Sequence, residues 1–235
     1  MMRILLPCAA LLGVLAYPVS VRLSPNNWNA ELPASAANVW RIATKAGHSA
    51  SACPVADLDN GTWLFLTSRH VTQGWVGGAT GAIVESRDKQ RKLIIVSATD
   101  HPTKDISILR VKGDDKDIEL LTIDFAGNDP GDTVYTVGYP GPLKLWFGYR
   151  GYLGLHDSSS SHIERGMSGG ALLDDNGQLS GILMSHAFFW QYLDTYDKEG
   201  NYLGTSRLDQ HFPEQSFFVP LKGLEDWLRK HNVIE

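Results

Sequence analysis

Ahead of Leu221 the chain offers no amphipathic helix of useful length. Short apolar runs alternate instead with turn signals, at residues 39–42, 63–67, 92–97, 106–111, 133–137, 171–173 and 179–184. Asp59-Asn60-Gly61 precedes the second run, and Asp174-Asp175-Asn176-Gly177 joins the last two. Both are hairpin-turn signals, because Asn and Gly tolerate the positive φ that tight turns need. Many short strands with such turns predict an all-β fold, a barrel or a sandwich. The end of the chain differs. Leu221, Leu224, Trp227 and Leu228 recur at helical spacing with charged residues between them, and Pro220 sits just ahead. That pattern predicts a C-terminal α-helix over 221–232.

With 235 residues, the chain can bury one large all-β core or two small ones. Its formal net charge of -5 argues against nucleic acid as a partner, which would need clustered positive charge. The N-terminus stands apart from the fold. Arg3 is followed by an apolar stretch over 4–21, closed by Arg22, which reads as a basic region and a hydrophobic region for export. The stretch also nears the length needed to span a bilayer. Tyr17, Pro18 and Val19 make a poor cleavage site, and Ala34-Ser35-Ala36 lies far downstream. Residues 1–23 are therefore read as a signal peptide or an uncleaved membrane anchor, followed by a polar linker over 24–37. Either reading places the rest of the chain outside the cytoplasm, periplasmic or secreted. Cys8 falls in the export segment, which leaves Cys53 alone and expected to act as a small core hydrophobe.

The sharpest local signal is Gly166-Met167-Ser168-Gly169-Gly170. A serine hydroxyl is a poor nucleophile. It needs a base beside it and backbone N–H groups aimed at the developing oxyanion. Flanking glycines let the backbone turn sharply and leave those N–H groups free. A plain Gly-rich turn fits the same residues. So does the G-x-S-x-G elbow of α/β-hydrolases, but an elbow leads into a helix with its acid and His downstream. Here Ser168 leads into an apolar run, a turn and another apolar run, so that fold is rejected. Two upstream segments supply partners: Trp63 to Val71 carries His70 past the end of a strand, and Asp105 opens the strand that follows it. The order His, Asp, Ser across three strand ends is far more specific than any one of them.

On these residues the chain resembles the chymotrypsin-like (trypsin-fold) serine proteases, and most closely their bacterial HtrA/Deg branch and simple trypsin-like relatives. Thr67-Ser68-Arg69-His70-Val71 is similar to that family's catalytic-His turn, and Asp105-Ile106-Ser107-Ile108-Leu109 to its catalytic-Asp strand. Gly166 to Ala171, with Gly177 and Gly181-Ile182, resembles its nucleophile loop and the next strand. Gly131-Asp132-Thr133-Val134 through Gly138-Tyr139-Pro140, and Phe218-Val219-Pro220-Leu221, resemble further segments. The resemblance implies a protease domain over 38–235, built of two six-stranded-type antiparallel β-barrels, roughly 38–118 and 119–220, and the helix. It implies a serine endopeptidase acting on polypeptides, with Ser168 as nucleophile, His70 as general base and Asp105 orienting His70. The N–H groups of Gly166 and Ser168 would form the oxyanion hole. A catalytically inactive homologue that binds peptides, and an esterase on the same fold, are the rival readings.

Several departures from the family shape the expectation. Met167 stands where trypsin has Asp, so activation through a freed N-terminus is not expected. The segment between Pro140 and Gly166 is short for the HtrA branch. With the sequence ending at Glu235, just after the terminal helix, no PDZ domain is expected. An insertion over 187–215 carries Phe188, Phe189, Trp190, Tyr192 and Tyr196, aromatics expected mostly to pack on the barrel. By family position His162 lies near the base of the specificity pocket and His186 on its wall. An imidazolium there would favour an acidic side chain, but partly exposed loop histidines are the better-supported reading of both. With no Asp at the pocket base, small or medium apolar residues are the expected preference. No metal or cofactor is expected: there is no H-E-x-x-H and no C-x-x-C, and His156 and His162 merely flank a Ser-rich loop.

Overall fold

Strand β3 (Thr62–Thr67) explains why the first half of the chain closes on itself. All six of its residues are buried. Trp63 and Phe65 point into one apolar cluster, and Leu64 and Leu66 into another. A strand covered on both faces must sit inside a two-layer arrangement, which is why its sequence is continuously apolar. The structure is a computed structural model that describes residues 32–43, 49–59, 61–73, 82–113, 118–141, 145–196 and 202–235, with side chains described outside 185–215.

Around β3 stand β1 (Trp40–Ala43), β2 (Ser49–Asp57), β4 (Ile83–Glu85), β5 (Lys92–Asp100) and β6 (Ser107–Lys112), with the short helix α1 (Arg69–Gln73) after β3. They form a closed barrel in the order β1-β2-β3-β6-β5-β4. The β2–β3 hairpin turns through Asp59 and Gly61, both at positive φ. The second half contains β7 (Thr133–Gly138), β8 (Phe147–Tyr152), β9 (Ser158–Ser159), β10 (Ala171–Leu173), β11 (Leu179–Tyr196) and β12 (Tyr202–Pro220). These form a six-stranded sheet in the order β8-β7-β10-β11-β12-β9. A lone bridge between Leu153 and Ser159 brings the β8 end of the sheet to its β9 end, so the sheet curls into a half-barrel. The expected pair of antiparallel β-units is therefore present, the first fully closed and the second curled.

Three apolar clusters hold this arrangement. One, with Trp40, Phe65 and Ile95, fills the first barrel. A smaller one, with Val134, Met167 and Phe218, lies within the second sheet. The third lies between the two units, where Leu66 and Ile108 meet Val137, Leu173 and Ile182. Helix α2 (Glu225–Lys230) joins this third cluster through Leu228. It is shorter than the 221–232 expected. Gly223 at φ +80° makes 221–224 a turn closed by Leu224 N–H on the Leu221 carbonyl at 3.0 Å. Leu221 and Leu224 are buried nonetheless, so the apolar spacing reports the buried face and not the helix length. The 187–215 insertion continues β11 and β12 as a two-stranded ribbon, Ala187 pairing with Phe212 and Tyr196 with Tyr202. The expected packing of its aromatics falls on side chains outside the described ones. The apolar stretch over 4–21 also lies outside the described residues, among which no helix is long and apolar enough to cross a membrane.

The barrel seam between β1 and β4 carries charge. Arg41 and Glu85 are cross-strand partners, joined at 2.9 Å, and both are buried. Lys92 approaches the other Glu85 oxygen at 3.2 Å. Removing one member strands the other in a low-dielectric site. Glu85→Ala is expected to lower the free energy of unfolding by about 3–5 kcal/mol. The double variant Arg41→Met/Glu85→Leu should recover most of that loss. Urea denaturation of the three proteins checks both expectations.

Candidate active site

Strand β3 ends at Thr67, and the chain turns through the buried Ser68 into α1, which carries His70. Asp105 lies on the loop between β5 and β6, a loop closed by His101 N–H on the Ile106 carbonyl at 2.9 Å. One Asp105 oxygen accepts the His70 backbone N–H at 2.8 Å, and the other faces His70 Nδ1 at 2.6 Å. A carboxylate only accepts, so Nδ1 carries the proton and Nε2 is left as the basic nitrogen. The His70 side chain remains about half exposed, and that of Asp105 about a quarter. Burial pushes the Asp105 carboxyl up. The two hydrogen bonds from His70, with the charges of His70 and Arg69, outweigh it and hold the carboxyl below its ordinary value.

Other residues fasten this pair, and none of them was assigned a role from the sequence, although Arg69 and Ser107 lie within the His70 and Asp105 motifs. Arg69 donates to the His101 and Pro102 carbonyls at 3.0 and 3.2 Å. Asp100 receives Thr72 Oγ1 at 2.8 Å, Gln73 Nε2 at 3.0 Å and Ser107 Oγ at 2.5 Å. Helix α1 is thus tied ahead of His70 to the 101–106 loop, and behind it to Asp100 at the end of β5. The signal was present as Asp and Ser/Thr at strand ends, which is too common a pattern to single out.

Ser168 sits on the turn ahead of β10. Met167 plugs that turn into the second core, where it is fully buried. Gly166 at φ +102° and Gly169 at φ +81° supply the backbone bend. A Cβ on Gly169 would collide with Thr67 Oγ1 and the Ser51 carbonyl. Among the described residues, neither Gly166 N–H nor Ser168 N–H donates to any acceptor. The Ser168 hydroxyl donates to the Met184 carbonyl at 2.8 Å and makes no hydrogen bond to His70.

The residues just ahead of α1 also hold the Ser168 turn. Thr67 Oγ1 donates to the Ser51 carbonyl at 2.8 Å, and Ser51 N–H donates to the Ser168 carbonyl at 2.9 Å. Ser68 Oγ donates to the Leu183 carbonyl at 2.6 Å, which Gly169 N–H shares at 2.8 Å. The structure therefore draws the His70 turn and the Ser168 turn onto the same strands, β2, β3 and β11.

His162 is on the segment leading to Ser168. Its Nε2 faces Glu164 Oε1 at 3.2 Å, and its ring meets Tyr149 edge-on at 4.8 Å. His186 lies in β11 opposite Ser216, and its side chain is outside the described ones. Cys53 is fully buried, its thiol pushed up by that burial, and it faces the Gly169 carbonyl at 3.6 Å. It is the small core residue the sequence led us to expect.

Residues 55–182 match the family described as trypsin-like peptidase domain, more than half of the chain. No curated protein sequence matches it. Among solved structures, the HtrA-type protease AlgW with a tripeptide is similar, with a TM-score of 0.59 at 23% identity. That alignment covers 84% of this chain and 62% of AlgW. An inactive form of Rv3671c from M. tuberculosis H37Rv gives a TM-score of 0.58 at 17% identity, covering 86% and 90% of the two chains. The serine endoprotease from Yersinia pestis gives 0.57 at 19%, covering 84% and 63%. The chain spans less than two thirds of the AlgW and Yersinia chains, and these likenesses establish a shared fold.

The Asp105 carboxyl generates a pH prediction. Its folded value lies below its ordinary value of about 4. The stability it contributes is present above that ordinary value and is lost as pH falls through the lower folded one. The gap in urea midpoint between wild type and Asp105→Asn is therefore expected to hold above about pH 4 and to close in more acid solution. A gap that persists undiminished to the acid limit of folding would contradict it.

Proposed function

The chain belongs to the trypsin-like peptidase domain family, and from that premise we propose that it is a serine endopeptidase whose triad is Ser168, His70 and Asp105. The observation that carries this reading is the doubly hydrogen-bonded His70–Asp105 pair, built on the same strands that fasten the Ser168 turn. His70 Nε2 takes the proton from Ser168 Oγ as that oxygen attacks the scissile carbonyl, then gives it to the leaving amine. Asp105 holds the required tautomer and stabilises the imidazolium. The free N–H groups of Gly166 and Ser168 receive the oxyanion. Water then releases the acyl group by the same steps in reverse roles.

For the first step the Ser168 hydroxyl must leave the Met184 carbonyl and turn toward His70. Leaving that carbonyl gives up one neutral hydrogen bond, about 1 kcal/mol, which a new bond to His70 would return. The same Ser168–Met184 bond favours the rival reading, a homologue that binds peptides without cleaving them. By family position His162 would lie near the specificity pocket; it faces Glu164, so an acidic substrate side chain there would compete with that carboxylate. This supports a preference for small or medium apolar residues. The export-type stretch over 4–21 supports action outside the cytoplasm, as a secreted or anchored protein.

A fluorophosphonate probe separates the two readings. The folded wild type is expected to label at Ser168, and Ser168→Ala is expected not to. His70→Ala should label at least about 10³-fold more slowly. Folded wild type that resists the probe would favour the binding protein. Parallel assays on casein and short-chain esters distinguish a peptidase from an esterase.

A further inference from the structure

Ser51 belongs to β2 and is completely buried. Its hydroxyl accepts the Tyr139 N–H at 2.9 Å and donates to the Gly166 carbonyl at 3.3 Å. Its own N–H donates to the Ser168 carbonyl at 2.9 Å. One residue therefore holds a carbonyl on each side of Met167, inside the segment that carries both free N–H groups.

The geometry of the peptide group gives that arrangement a consequence. In a trans peptide the C=O and N–H point in opposite directions, so holding the oxygen aims the hydrogen. Gly166 N–H shares its peptide with the Arg165 carbonyl, which accepts Gly141 N–H at 2.6 Å. Ser168 N–H shares its peptide with the Met167 carbonyl, which accepts Gly170 N–H at 2.9 Å. The peptide from Gly166 to Met167 lies between these two and sets their relative orientation. Ser51 Oγ holds its oxygen, and the Glu164 carbonyl accepts its N–H at 3.0 Å. Gly166, at φ +102°, offers no side-chain resistance to a swing of this middle peptide. The hydroxyl has little freedom to release it, since even a Cβ on Gly138 would lie 2.9 Å from Ser51 Oγ.

We propose that Ser51 is a positioning residue for the oxyanion hole, fixing the middle peptide so that the Gly166 and Ser168 N–H groups stay jointly aimed. It touches neither substrate nor the reacting atoms, and the inference rests on the endopeptidase reading above. The test compares wild type with Ser51→Ala and Ser51→Thr on a peptide substrate, counting active sites by fluorophosphonate titration. Deleting an oxyanion donor costs 10²–10³-fold, so loosening two is expected to lower kcat per titrated site about tenfold in Ser51→Ala. KM should stay within about twofold, and affinity for a peptide aldehyde, whose adduct carries the oxyanion, should fall in parallel with kcat. Ser51→Thr, which keeps the hydroxyl, should restore both. Unchanged kcat per titrated site, or a loss confined to the fraction of active sites, would overturn the proposal. If Ser51→Ala does not fold, Ser51→Cys, with its weaker donor and acceptor, takes its place under the same criteria. Amide exchange at Tyr139 and Met167 reads the clasp without any activity: faster exchange in the variant supports it, and unchanged exchange overturns it. A wild type that cleaves nothing but shows the exchange change would sink the endopeptidase reading and leave the clasp standing.

Discussion

Thr67 donates its hydroxyl to the Ser51 carbonyl at 2.8 Å, with both residues fully buried, and this bond fixes the edge of the first barrel against which the Ser168 turn of the second unit is held by Ser51 N–H. It joins the end of β3 to the start of β2. The Ser168 turn lies directly over it, close enough that only glycine fits at 169. From the same short stretch, Ser68 reaches across to β11 and the chain proceeds into His70. A buried polar group without a partner costs about 1–3 kcal/mol. The seam therefore tolerates only the register in which Ser51, Thr67, Ser68 and Gly169 all find their partners. That register is also the one that brings the His70 and Ser168 turns together.

Apolar contact provides the adhesion that this polar seam directs. The cluster between the two units draws on β3 and β6 from one side and on β7, β10 and β11 from the other. Burial of this kind is favourable but non-directional, so it does not by itself choose a register. The C-terminal helix extends the adhesion toward the site. Trp227 meets the His101 ring edge-on at 5.0 Å, and the His101 carbonyl accepts from Arg69 beside His70. Packing at the end of the chain thus bears on the loop that carries Asp105.

What the sequence revealed and what it hid follow from the kind of interaction involved. Strands buried on both faces, such as β3, announce themselves as apolar runs, and turns with obligatory positive φ announce themselves as Asn-Gly. Strand β2 gave no such signal, because its Ser-Ala-Ser-Ala start contributes backbone and hydroxyl contacts and little apolar surface. β8 hid for a related reason, its glycines interrupting any alternation. The proposed triad was legible through motif order, since each member follows or opens a recognisable strand. The supporting set of Ser51, Asp100, Thr72 and Ser107 was not. Their roles depend on partners elsewhere along the chain, such as Gly166 for Ser51, 115 residues away, and no local pattern encodes such a pairing.

The site divides into fixed and adjustable parts, and the division suits the proposed chemistry. His70 is held at Nδ1 and at its backbone N–H, so its ring has little orientational freedom to lose. The carbonyls that flank the free N–H groups are each engaged by a donor from the protein itself. Preorganised donors of this kind stabilise developing charge without reorganising during the reaction, which is where most of the rate gain at such sites arises. The Ser168 hydroxyl is the exception, resting on the Met184 carbonyl through a single rotatable bond. Releasing it costs about one neutral hydrogen bond, ~1 kcal/mol, or less than a factor of ten in rate. Misaiming the oxyanion donors would cost far more. Rigidity is thus concentrated where errors are expensive, and freedom is left to the one group whose movement is cheap.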